Sequence, residues 1–222
     1  MTLERPKPPA DVTASLTEGL QRLPARNRHS YATEMSGGAP PEISPGLQVF
    51  ALTPDQLLTE TPSEAAKPTS WRYLLSQAPQ PPAGGSAGEE PKEAAEVATA
   101  EVLDQSVEGQ SVGPQFSHLQ YGWLGSATQR AISIAQSLPE VANGNYELRM
   151  FRLPAVYVDA IWLKNNGDGD DLFIPILSMD KNLKPFQAYK EKDFLAAVRQ
   201  LIIEKAKFNN SPVQPEREAE TR

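Results

Sequence analysis

Not one of the 222 residues is a cysteine. Disulfides, thiolate nucleophiles and zinc–thiolate sites are therefore excluded. Histidine is nearly as scarce: His29 and His118 are the only two, so imidazole chemistry would have to run through one of them. Long apolar runs are also missing. No stretch approaches the roughly 18 apolar residues a membrane span needs, and Met1 to Pro6 carries no apolar run of the secretory-signal kind. Positive charge is in deficit, with 21 Lys and Arg against 28 Asp and Glu for a net −7. That balance opposes binding driven by phosphate neutralisation, so no nucleic-acid partner is expected. The phosphate-cradling and dinucleotide glycine patterns are absent, as is the Gly-x-Ser-x-Gly elbow. These absences point to a cytoplasmic chain without a cofactor.

Proline, by contrast, is abundant and unevenly placed: fourteen of the 21 prolines lie in the first 91 residues. Aromatic residues run the other way. Only Tyr31, Phe50, Trp71 and Tyr73 precede residue 116, out of 16 in all. A segment poor in apolar surface cannot offset the entropy of ordering itself. This gradient predicts a flexible proline-rich arm over 1–46 and an α+β domain over 47–208. A flexible insertion of Pro, Gly, Ala and Glu is expected near 78–92, and a polar tail over 209–222.

Within the arm, Asp11 can cap a short helix running to Leu23, where Pro24 stops it. Val12, Leu16, Leu20 and Leu23 form one stripe, the pattern of a helix that docks into a partner's groove. The same stripe could pack on the chain's own domain. Arg22, Arg26, Arg28 and His29 follow as a small basic patch.

In the domain, Leu47–Leu52 reads as a strand, with Thr53 and Pro54 opening a helix. Ser70–Ser76 is a second apolar island, and Ala94–Leu103 leans to strand. Ser126 can cap a helix to Leu138, stopped by Pro139. Three strands follow, Tyr146–Leu153, Ala155–Lys164 and Leu172–Leu177. The second is apolar on both faces and so central, and Pro175 sends the third to an edge. A helix over Lys190–Lys207 closes the fold. Sheet-then-helix order predicts a small antiparallel sheet: a meander of three C-terminal strands plus one or two N-terminal strands. Two helices flank it and a long disordered arm precedes it.

Three constellations could carry chemistry. Asn165–Asp171 offers Asp168, Asp170 and Asp171 as oxygen ligands for calcium, although the spacing fits no EF-hand and a hairpin loop is the favoured account. Asp159 interrupts the most apolar strand, and a carboxylate there needs a partner such as Arg149 or Arg152. With Glu147 it could also form an acid pair for hydrolysis. Ser117 adjoins His118, but neighbours on a strand point to opposite faces, which argues against a dyad. The leading expectation is a non-catalytic interaction or adaptor protein, tethered through Val12, Leu16, Leu20 and Leu23 to a protein partner or large assembly. The alternatives are a carboxylate-dependent hydrolase and a calcium-dependent binding module.

Overall fold

The computed structural model describes residues 3–23, 42–59, 65–76, 96–104, 106–107, 110–111 and 113–209. The insertion expected at 78–92, the tail past 209, the arm over 24–41 and the basic residues Arg26, Arg28 and His29 lie outside them.

Helix α1 (Ala10–Gln21) comes first, followed by strands β1 (Glu42–Ile43) and β2 (Leu47–Ala51) and by α2 (Pro54–Thr59). Thr53 and Gln56 close a capping box at α2: the Thr53 amide donates to Gln56 Oε1 at 2.9 Å, the reciprocal arrangement that satisfies a helix start. Next are β3 (Lys67–Ser76), β4 (Glu96–Leu103), a small hairpin of β5 (Ser106–Val107) and β6 (Gln110–Ser111), and β7 (Gln115–Tyr121). Helices α3 (Trp123–Ser137) and α4 (Pro139–Asn143) lead to β8 (Tyr146–Leu153), β9 (Val158–Asn165) and β10 (Leu172–Leu177). Strand β11 (Tyr189–Lys190) and α5 (Glu191–Asn209) end the described chain. Helix α3 starts earlier than Ser126 suggests. Gly122, at φ 118°, makes the entry turn, and Ser126 Oγ donates to the Trp123 carbonyl instead of capping.

The small antiparallel sheet expected from the sequence is overturned. One sheet of nine strands runs β11-β10-β9-β8-β2-β3-β4-β7, with β1 paired beside β2 on β3. It is mixed, because β2 lies parallel to β8 at Val49–Ala51 against Met150–Arg152, while the other pairings are antiparallel. Among the described residues five helices accompany it, not two.

Alternation along each strand divides the buried side chains between two faces. On one, α3 and α4 cover Leu74, Leu148, Met150, Ile161, Leu163 and Ile174. The other carries two clusters. Phe50, Phe151, Trp162 and Phe173 pack under Phe194 of α5, with Phe173 and Phe194 stacked at 4.4 Å between ring centres. Trp71, Tyr73, Leu75, Ala98, Ala100 and Val102 pack under Val12 and Leu16 of α1. The alanines explain why β4 shows no clear period in the sequence: its helix-facing stripe is built from small residues that let α1 sit close.

The N-terminal segment is part of the fold, which corrects the long disordered arm over residues 3–23. Below its pairing with β2, the same edge of β8 takes Glu4. The Glu4 amide donates to the Tyr146 carbonyl at 2.9 Å, and the Leu148 amide donates back to Glu4 at 2.8 Å. Leu3 packs on the α3 side of the sheet.

Candidate functional site

The largest concentration of buried charge sits on the α3 side of the sheet, where five neighbouring strands meet. Glu101 of β4 is its node and is only 3% exposed. Its carboxylate accepts from Ser70 Oγ at 2.8 Å, from Arg72 at 3.2 Å and from both terminal nitrogens of Arg152 at 2.8 and 2.9 Å. Arg72 also reaches Asp159 at 3.4 Å, and Arg152 Nε lies 3.6 Å from the other Asp159 oxygen. Strand register explains the convergence. Arg72 faces Glu101 across β3 and β4, and Arg152 faces Asp159 across β8 and β9. Between them, the β2 residue opposite Arg152 is Ala51, whose methyl lets the arginine reach over that strand. Two cations and two anions balance, as burial demands. Burial pushes the Asp159 pKa above its ordinary value, and the charge and hydrogen bond of Arg72 pull it back.

The hydrolase reading needs Asp159 and Glu147 together, and the sheet does not bring them together. Glu147 pairs with Lys164 and Asp159 with Arg152. The two β8 positions lie five residues apart, roughly 16 Å along a strand, and face opposite sides. Glu147 is held by Arg149 Nε at 2.6 Å, and Arg149 also lies over the Phe50 and Trp162 rings at 4.6 and 4.9 Å. Of the two arginines considered for Asp159, Arg152 alone reaches it, because Arg149 is on the other face.

The Asp-rich loop is divided in its roles. Asp171 is buried and accepts from Trp162 Nε1 at 2.8 Å, Lys164 Nζ at 3.2 Å and the Asn165 amide at 2.9 Å. Asp170 is exposed and bonds Lys190 at 2.9 Å, and Asp168 is exposed at the tip. The Asn165 side chain accepts from the Gly167 amide at 2.6 Å, the hairpin-loop chemistry that Asn commonly provides. Among the described residues no group of three or more His, Asp or Glu is placed to hold a metal ion.

The α1 stripe lies against the chain's own sheet. Val12 and Leu16 are fully buried there, Leu23 nearly so, and Leu20 packs beside them. A partner could reach Val12 and Leu16 only if α1 left the sheet. Near the end of α1, a groove of about 450 Å³ opens between Ser15, Glu18 and Arg22 on the helix and Pro114, Gln115 and Phe116 on the chain entering β7.

Strand β7 holds the feature that sequence reading missed. Glu101 pairs with His118 but Val102 pairs with Phe116, so Ser117 is an extra residue in the strand. This bulge corrects the expectation that Ser117 and His118 diverge: Ser117 Oγ lies 3.0 Å from His118 Nδ1. Both residues are exposed, so the contact lacks the desolvation that sharpens acid–base chemistry. Beyond the bulge, β7 is the last strand of the sheet, and no strand among the described residues pairs with its outer edge. Just past it, Trp123 is 58% exposed.

No protein-family model, curated protein or solved structure matches the chain. Among the described residues no helix is long and apolar enough to cross a membrane.

Proposed function

We propose that this chain is a non-catalytic protein-interaction protein of the cytoplasm, and that its docking element is the outer edge of β7. The supporting observation is the unequal treatment of the two ends of one sheet. An exposed strand edge is a template for pairing with another chain, and folded proteins usually blunt it with proline, lysine, a very short strand or a covering loop. The β10 end has several of these devices. Strand β11 is two residues long, Pro175 removes a donor from β10, and the Phe186 amide returns to cap the Pro175 carbonyl at 2.8 Å. The β7 end runs Gln-Phe-Ser-His-Leu-Gln-Tyr, with no proline and no lysine. Among the described residues the protective device at this end is the bulge at Ser117, which leaves His118–Tyr121 in regular register with β4. Strand addition at such an edge draws affinity from main-chain hydrogen bonds. With α1 packed on its own sheet, the docking role passes from the helix stripe to this strand.

Affinity capture with the tagged full chain tests the reading, using wild type beside Gln120→Lys. The charge lies on an exposed β7 side chain and leaves the core untouched. Loss of the captured protein in the variant is expected, and an unchanged set would remove β7 from the interaction.

A further inference from the structure

The hairpin between β9 and β10 holds a reaction that the chain can carry out on itself. We infer that Asn166 is a site of self-modification, where the Gly167 amide nitrogen attacks the Asn166 carboxamide and the residue becomes aspartate or isoaspartate. This is independent of the strand-edge reading above. The step balances within the chain and water. A bond forms between Gly167 N and Asn166 Cγ, and the Cγ–Nδ2 bond breaks. Nδ2 leaves as ammonia with the proton that Gly167 N gives up. Water then opens the cyclic imide at either carbonyl. One opening leaves an aspartate, the other an isoaspartate whose main chain runs through the side chain. Glycine permits the approach, because it brings no Cβ beside the attacking nitrogen. Placing the two groups next to each other in one loop supplies the proximity.

The sequence has two Asn-Gly pairs, Asn143-Gly144 and Asn166-Gly167, and the fold treats them differently. They are neighbours, since the Asn166 amide donates to the Asn145 carbonyl at 2.9 Å, so both meet the same solvent. Asn143 is the last residue of α4, and its Nδ2 donates to the Pro139 carbonyl at 2.9 Å. That bond fixes the carboxamide against its own helix, away from the nitrogen that follows. Asn166 is exposed in the loop, outside helix and strand. Its carboxamide has no hydrogen-bond partner among the described residues. One bond stands in the way: the Gly167 amide donates to Asn165 Oδ1 at 2.6 Å. It holds the attacking nitrogen until the exposed loop opens, so Asn165 sets the pace. The product puts a further carboxylate beside Asp168 and Asp170 and adds one negative charge to the net −7. The change runs one way, which makes the hairpin a slow, timed charge switch.

Peptide mapping by mass spectrometry tests this on the full chain, held at mildly alkaline pH over a time series. Folded wild type should gain aspartate and isoaspartate at position 166 while Asn143 stays intact. In urea both pairs should convert at similar rates, because the dipeptide is the same. Gly167→Ala should slow conversion at 166 at least about tenfold, since the methyl displaces the attacking nitrogen. That variant should fold: its methyl would meet Asn165 Oδ1 at 3.3 Å, and φ at Gly167 is not in the left-handed region. Asn165→Ala should speed conversion by freeing the nitrogen. An Asn166 that stays intact, or one that Asn143 outpaces in the folded chain, would overturn the proposal. Equal conversion in Gly167→Ala would also overturn it, because the attack would not come from that nitrogen. A preference that persists in urea would overturn the role of the fold. An unchanged or lower rate in Asn165→Ala would overturn the pacing by Asn165.

Discussion

Glu101 holds the densest set of bonds in the described molecule, and its neighbours have little access to water. Arg72 is 2% exposed, so removing Glu101 leaves a buried guanidinium with only the 3.4 Å contact to Asp159. Breaking one partner of such a network costs about 3–5 kcal/mol, whereas replacing both by apolar groups of similar volume can be nearly neutral. Glu101→Leu is accordingly expected to lower the urea unfolding free energy by about 3–5 kcal/mol. Adding Arg72→Met should recover part of that loss. Strict additivity of the two would show that they are not coupled. Asp159 gives a pH signature. Burial raises its folded pKa above the ordinary 3.8, so the native state keeps a proton that the unfolded chain has released. Its contribution is full below the ordinary value and is lost as pH rises through the raised one. Urea midpoints of wild type relative to Asp159→Asn should therefore fall across that window. A difference that climbs with pH would contradict the assignment. The sequence announced the need of Asp159 for a partner, because a carboxylate amid Val158 and Ala160 has no other way to be buried. It could not announce Arg72 and Glu101, which arrive from strands whose adjacency depends on the whole sheet.

At the scale of elements, α1 shows how a pattern is legible while its destination is not. The stripe of Val12, Leu16 and Leu20 required an apolar cover, and nothing in the spacing said whose. The small residues of β4 supply it. Leu16 is 1% exposed, and Leu16→Ala should cost about 2–5 kcal/mol, the range for a truncated core leucine. Gly19 makes a sharper test. Helix propensity alone favours Gly→Ala by about 1 kcal/mol, yet a methyl at Gly19 would land on the base of the Phe116 side chain. Gly19→Ala is therefore expected to lower the thermal midpoint, and a rise would mean that α1 does not rest on β7. The strand β9 and the α2 cap at Thr53 were readable, since each depends on neighbours within a few residues, whereas β10, expected at an edge, has β11 outside it at Leu172 and Phe173. The β7 bulge was not, because it exists only as a mismatch against β4.

Among the described residues, one nine-stranded sheet, with the β5–β6 hairpin apart from it, has an order that departs from chain order. Strand β2 finds β8 about a hundred residues later, and Glu4 fills the rest of that same edge. Long-range pairing of this kind leaves little local trace, which is why a small meander was the natural expectation from sequence. It also closes the N-terminal segment into the core and leaves β7 with no strand of the described residues on its outer edge. Residue-resolved amide exchange of the dilute full chain tests both halves of that statement at once. The α1 amides should exchange only through global unfolding, at the rate of β3 and β8, while His118 to Gln120 exchange on their outward side far faster. Rapid exchange throughout α1, or uniform protection along β7 at dilution, would contradict it.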